Sequence, residues 1–277
     1  MNKKALVLSI VVVALLQLSM VSAAGWHVQN TLNGTASYEK ASQNVESLNW
    51  AGYVASSNMS NPSPVVTSVA GSWIVQNVTG SGGKTTYSSQ WIGIGGFFSG
   101  DSSLIQTGTE SDYNGGGAAS YSAWWELLPA AEATITNMTV GPGDMMQAHI
   151  FIVPGTSALW NIYLNDTTKE ESFHNQVTYS SSMLSAEWIE ERPTVNGHLS
   201  TLADFGTAYF GQDFTGITGT GYATINGSTG PITSFSYESI TMVTYSSTLA
   251  QPSALSSDGS SFTVTYVASS HGSKKVK

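Results

Sequence analysis

The sequence contains no cysteine. That single absence excludes disulfide staples, thiolate metal ligands and a cysteine nucleophile. Charge is scarce as well: 10% of the residues are Asp, Glu, Lys or Arg, and cations are the rarer sign. The nine basic residues are Lys3, Lys4, Lys40, Lys84, Lys169, Arg192, Lys274, Lys275 and Lys277, so only three fall between Ser47 and Ser273. Such a body has no surface to neutralise a phosphate backbone, which removes nucleic acid from its partners. It has none to hold anionic lipid either. A chain so poor in cations forms few ion pairs. Acid usually unfolds proteins by protonating carboxylates that are paired in the native state, so tolerance of low pH is expected here. Several reactive motifs are missing too. There is no His-Glu-x-x-His, and His27, His149, His174, His198 and His271 are scattered, so no zinc site is expected. No glycine loop leads into a lysine to cradle phosphate. Aspartic-peptidase Asp-Thr-Gly or Asp-Ser-Gly triplets are absent, and Gly100-Asp101-Ser102 lacks the glycines that would make it a serine nucleophile motif. Neither metal nor cofactor is expected.

What is present begins with a secretory pattern. Lys3 and Lys4 precede the apolar run Ala5 to Val21, and Val21-Ser22-Ala23 is a small-residue cleavage signal. Residues 1–23 therefore read as a signal peptide, which implies secretion to the extracellular space. Membrane contact is expected only if this segment stays uncleaved as an anchor. Residues 24–46 read as a pro-segment or an N-terminal arm, 47–268 as the folded body and 269–277 as a basic, loose tail. The chain is expected to act as a monomer. Six Asn-x-Ser/Thr sites, at Asn33, Asn58, Asn77, Asn137, Asn165 and Asn226, suit a secreted glycoprotein.

From Asn49 onward short β-type runs recur, separated by Gly, Ser, Asn and Pro. They are Trp50–Ser56, Val65–Val78, Tyr87–Ile94, Leu104–Thr109, Tyr121–Leu127, Ala133–Val140, Met145–Val153, Ala158–Leu164, Ser172–Tyr179, Leu184–Glu191, Phe205–Phe210, Ile217–Ile225, Ser234–Val243 and Ser261–Val267. Many alternate with period 2, and no long stretch has a helical period. So many strands at regular spacing predict an all-β chain, folded as a two-sheet antiparallel sandwich or jelly roll.

Three runs carry candidate chemistry. Ala186-Glu187-Trp188-Ile189-Glu190-Glu191-Arg192 concentrates three carboxylates in a chain with few charges. Alternation puts Glu187, Ile189 and Glu191 on one face and Ala186, Trp188 and Glu190 on the other. At least one carboxylate must then meet covered surface, where its pKa rises and it can exchange protons. An edge strand with solvated acids is the competing reading, and alternation does not choose among the three. Leu104-Ile105-Gln106-Thr107-Gly108 sets an uncharged Gln106 among apolar residues, as a core amide or a site residue. Tyr121-Ser122-Ala123-Trp124-Trp125-Glu126 sets Ser122, Trp124 and Glu126 on one face, either ordinary core or an aromatic substrate platform.

Taken in order with Asn49-Trp50-Ala51-Gly52 and Gln90-Trp91-Ile92-Gly93-Ile94, these runs resemble the glutamic peptidases, the eqolisin family, from about Asn49 to about Tyr266. The resemblance implies a concanavalin A-like sandwich of two curved sheets. It implies a secreted acid endopeptidase acting on protein or peptide substrates without metal or thiol. It places the family's catalytic pair at Gln106 and Glu191, and the substrate groove at Trp91, Trp124 and Glu126. In that mechanism Glu191 deprotonates a water and returns the proton to the leaving nitrogen, while Gln106 holds the water and the oxyanion. Two positions depart from fungal members, which have Asp where this chain has Gly95 and Ser122. The disulfides of fungal members are also missing. Two other functions fit the strands alone: a carbohydrate-active or carbohydrate-binding sandwich using paired Glu residues, and a non-catalytic surface module.

Overall fold

The computed structural model describes residues 44–80, 83–245 and 247–267. The expected signal peptide, most of the 24–46 segment and the 269–277 tail lie outside the described residues. The strands in chain order are β1 (Asn44–Ser47), β2 (Trp50–Ser56), β3 (Val66–Ile74), β4 (Thr86–Ile94), β5 (Ile105–Tyr113), β6 (Ala119–Leu127), β7 (Ala133–Thr134), β8 (Met145–Ile152), β9 (Leu159–Asp166) and β10 (Glu171–Thr178). After them come β11 (Ala186–Glu191), β12 (Thr194–Val195), β13 (His198–Leu199), β14 (Thr207–Phe210), β15 (Tyr222–Ile225), β16 (Ser228–Pro231), β17 (Ser236–Val243), β18 (Thr248–Pro252) and β19 (Phe262–Tyr266). One short helix, α1 (Gln212–Thr215), follows β14.

Two layers form. The first runs β1–β17–β2–β11–β4–β5–β6–β7, with every pairing antiparallel except β1 against β17. The second runs β16–β15–β3–β8–β9–β10, antiparallel throughout. The strands β14, β19 and β18 carry the pairing from β3 round to β17 at one side. The expected two-sheet, all-β architecture is what the chain adopts.

Alternation explains how the layers stack. In β8, Met146, Ala148 and Ile150 are buried while Met145, Gln147 and His149 face outward. The inward set meets Trp73, Ile92, Ile94, Ile105, Trp160, Ile162 and Trp188 in one apolar core. Buried indoles usually find an acceptor, and here two of them bridge the layers. Trp188 Nε1 donates to the Ala70 carbonyl at 2.9 Å, joining β11 to β3. Trp73 Nε1 donates to Thr109 Oγ1 at 2.8 Å, joining β3 to β5.

β11 is no edge strand. It lies between β2 and β4 and all six of its residues are buried. The solvated-acid reading of this segment is therefore wrong, since both faces and both edges are covered. Two expected strands are much shorter. Within 133–140 only Ala133–Thr134 pairs, and within 217–225 only Tyr222–Ile225 pairs. β1, β12, β13, β16 and β18 were not anticipated. They are short, and Ser228–Pro231 has no apolar residue alternating with polar ones. β1 starts at Asn44, three residues before the body was expected to begin.

Candidate active site

The first layer has an inner face, packed on the core, and an outer face. On the outer face the register aligns three rows across β2, β11, β4, β5 and β6. One row is Val54, Glu187, Gly93, Gln106 and Glu126. The next is Gly52, Ile189, Trp91, Gly108 and Trp124. The third is Trp50, Glu191, Ser89, Glu110 and Ser122. All the residues singled out in sequence, apart from Glu190, thus collect on one face. Glu190 points the other way, into the core, where Gln76 Nε2 donates to its two oxygens at 3.0 and 3.1 Å.

Around these rows Trp50, Val54, Trp91, Phe97, Leu104, Trp124, Leu128, Ile189 and Ile240 form a second apolar cluster, so the polar groups sit in a low-dielectric setting. Glycine at 108 is a steric requirement. A Cβ there would lie 2.3 Å from the Gln90 carbonyl and 2.5 Å from Trp91 Cβ. Its absence lets the Trp91 side chain lie over β5 between the outer two rows.

Glu191 is held from three sides. Trp91 Nε1 donates to Oε2 at 2.7 Å and Asn49 Nδ2 to Oε1 at 3.1 Å. The Trp50 indole lies near the same carboxylate and also favours its charged form. Trp50 and Trp91 meet edge to face at 4.9 Å, which fixes both indoles. Burial still dominates: it pushes the Glu191 carboxyl up to about 7, against the opposing effect of Trp91, Asn49 and Trp50 and with help from the Glu132 charge.

Gln106 is 5% exposed, and its Nε2 donates to Glu126 Oε2 at 2.6 Å. Its Oε1 is buried with no hydrogen-bond partner. Burial raises Glu126 to about 8; the Gln106 bond opposes this, while the charges of Glu191 and Glu132 add to it. The Glu191 charge acts on Glu126 although the two carboxylates stand in opposite outer rows of this face. Among the described residues no hydrogen bond joins Gln106 directly to Glu191.

Two expectations change. Trp91 is fully buried and its N–H is committed to Glu191, so it orients the acid and presents no open face to a substrate. Trp124 is nearly buried as well, and its Nε1 donates to Ser89 Oγ at 3.2 Å. Gly95 has φ +92, and a Cβ there would lie 2.6 Å from the Ser103 carbonyl. No Asp fits that backbone. Asp101, six residues on, binds the loop instead, accepting from Gly96 N at 2.8 Å and Ser103 N at 3.0 Å.

Residues that sequence reasoning left without a role are Asn49, Trp50 and Glu110. Glu110 lies four residues past Gln106, so period 2 alone puts it on the same face; the register sets it in the Glu191 row. Burial and the neighbouring Asp112, Glu132 and Glu191 charges hold its carboxyl well above the usual range. Glu187 is buried, with neither oxygen bonded in good geometry. Burial keeps it strongly raised, tempered by the nearby Ser185 hydroxyl.

The fold is shared with solved peptidases. Scytalido-glutamic peptidase, in a crystal structure with a transition-state analogue inhibitor, superposes with a TM-score of 0.62 at 20% identity, over 79% of this chain and 98% of that one. SCP-B, a member of the eqolisin family in complex with a tripeptide, gives 0.58 at 19% over 79% and 98%. Aspergilloglutamic peptidase from Aspergillus niger gives 0.54 at 27% over 66% and 99%. No curated protein sequence matches the chain. The architecture is thus that of the glutamic peptidases. The family model described as the peptidase A4 family matches residues 48–267, and the chain belongs to that family. It is a peptidase of the glutamic class.

Proposed function

We propose that the protein is an endopeptidase that hydrolyses peptide bonds with Gln106 and Glu191, on the acid side of neutral and outside the cell. The observation that carries this is the state of the two groups. Glu191 is a buried acid raised to about 7 and fixed by one indole and one amide donor. Gln106 is an amide with one hydrogen committed and its carbonyl oxygen unspent.

The chemistry follows from the inventory of atoms. A glutamine amide has two N–H donors and one acceptor oxygen. Glu126 takes one N–H and thereby fixes which way the amide points. The remaining N–H can meet the oxygen of a scissile carbonyl as negative charge develops there, and Oε1 can accept from the attacking water. Glu191 removes the water's proton and later delivers it to the leaving nitrogen. A group performs both transfers best when its pKa lies near the working pH, and about 7 supports a weakly acidic optimum over a strongly acidic one. Glu126, higher still, stays protonated there and serves as a neutral partner to Gln106. Secretion rests on residues 1–23, with maturation inside 24–46 as part of the same reading.

Digestion of denatured casein and a peptide library between pH 2 and pH 8 tests this. Internal cleavages with a maximum below pH 7, insensitive to pepstatin and chelator, are expected. No new peptides at any pH, or a maximum at or above pH 7, would contradict it.

A further inference from the structure

The second layer carries on its outer face an arrangement that peptide hydrolysis leaves unused. Two rows cross five strands there. One is Tyr222, Ala70, His149, Tyr163 and His174; the other is Thr224, Ser68, Phe151, Asn161 and Gln176. The rings of Phe151, Tyr163 and His174 stack in sequence, 5.9 Å and then 4.2 Å between centroids, with planes within 10° of parallel. His149 leans on Phe151 at 4.6 Å. The result is a buttressed aromatic wall along β8. Opposite it stand Tyr222 and Thr224 on β15 with Thr229 on β16. Ser68 and Ala70 of β3, both small, form the floor between them.

This slot is a groove of about 660 Å³, within the range of small-molecule sites. Its walls rise from strands two spacings apart, about 10 Å. That width suits one ring-shaped ligand in van der Waals contact on both sides. Among the described residues no Asp, Glu, Lys or Arg lines it, so a phosphate, an acidic sugar or a cationic peptide gains nothing there. Burial lowers the pKa of His149 and favours its uncharged ring. The floor strand β3 is paired on both sides, by β15 and β8. An extended peptide therefore finds no free backbone to pair with. What remains to a ligand is aromatic wall, hydroxyls and side-chain amide. The polar groups are already ordered: Ser68 Oγ and His149 Nε2 are 2.8 Å apart, as are Thr224 Oγ1 and Thr229 Oγ1.

We infer that this groove binds a neutral oligosaccharide. The pyranose faces pack on the Phe151–His149 wall and Tyr222, and the sugar hydroxyls bond to Ser68, Thr224 and Thr229. The site lies on the sheet opposite the hydrolytic face, so it would tether the peptidase to polysaccharide without blocking its cleft.

The test is isothermal titration of the full protein with neutral glucan, xylan and chitin hexasaccharides and with an aromatic tripeptide. It is repeated on Tyr222→Ala, on Thr229→Arg, which fills the mouth from an exposed position, and on Glu191→Gln. Binding of at least one oligosaccharide is expected, weakened at least tenfold by Tyr222→Ala and by Thr229→Arg and unchanged by Glu191→Gln. Hydrolysis of a short peptide by the two groove variants should stay within twofold of the parent. Absence of binding to all three sugars, binding that survives both groove substitutions, or preference for an aromatic peptide over every sugar would overturn the inference. Loss of sugar binding in Glu191→Gln would also overturn it, by moving the site to the catalytic face.

Discussion

Raising the pH from 4 to 8 should destabilise this protein, and the reason is specific. Glu126 and Glu191 are raised to about 8 and about 7 by burial, and burial also raises Glu110, Glu187 and Glu190 well above the usual carboxylate range. In the unfolded chain a glutamate ionises near 4.3. Between that value and the folded value the unfolded state has released a proton that the folded state keeps. Ionisation then favours unfolding, and stability falls as pH rises. Below about pH 4 both states are protonated and the full stability is present. At about 1.4 kcal/mol per unit, Glu191 alone costs about 3 kcal/mol by pH 7, and Glu126 a similar amount or more by pH 8. The Glu126 value includes repulsion by the Glu191 charge, so the two figures overlap and about 5 kcal/mol for the pair is the better scale. At ~2–4 °C per kcal/mol for a domain of this size, melting should drop by roughly 10–20 °C between pH 4 and pH 8. Carboxylates that work in the other sense are few. Among the described residues the ion pairs are those of Lys169 with Asp144 and with Asp166, and Asp258 is held down at about 2 by Ser256 and Ser260. The assay is a thermal melt in constant ionic strength from pH 3 to pH 8. A companion variant isolates the cause. Glu190→Gln removes one raised acid, and its new amide can donate to Gln76 Oε1, which is buried and unpartnered. It should melt higher than the parent at pH 7 and equally at pH 4. A melting temperature that rises from pH 4 to pH 7, or a Glu190→Gln variant less stable at pH 7, would refute the reasoning.

Other perturbations have definite signs. Trp91→Phe removes the N–H that favours ionised Glu191, so the acid limb of the kcat/KM profile should move to higher pH, by about one unit for a charge-assisted bond; an unmoved limb would show that Glu191 is not the titrating base. Gly108→Ala forces a Cβ to within 2.3 Å of a paired strand's carbonyl, so chemical denaturation should show a loss of several kcal/mol, beyond the usual surface effect. Little change there would mean that the β4–β5 approach is looser than the structure shows.

Period-2 alternation assigned the faces of β11, β5 and β6 correctly, because long strands in a sandwich bury one face on a single core. Glu187 and Glu191 on one side and Glu190 on the other follow from that rule alone. What alternation could not supply was strand order. β11 lies between β2 and β4, a neighbourhood set by residues more than ninety positions away, and only that placement buries all three acids. The same limit hid the role of Asn49 and Trp50, which reach Glu191 from the start of the β2 segment. Only the resemblance places Trp91 in the substrate groove; the structure buries it with its N–H on the acid. The short strands escaped notice because pairing, and not composition, defines them. The platform on the second layer was invisible for the same reason, since His149, Tyr163 and His174 align only once β8, β9 and β10 are in register.

The central claim is that Gln106 and Glu191 together perform the hydrolysis, and kinetics of two near-isosteric substitutions test it most directly. With a fluorogenic peptide at the parent's pH optimum, Glu191→Gln should lower kcat by roughly 10²–10⁴-fold, and Gln106→Leu by roughly 10²–10³-fold, with circular dichroism and a cooperative melt unchanged in form. Parent-like turnover in either folded variant would contradict the account.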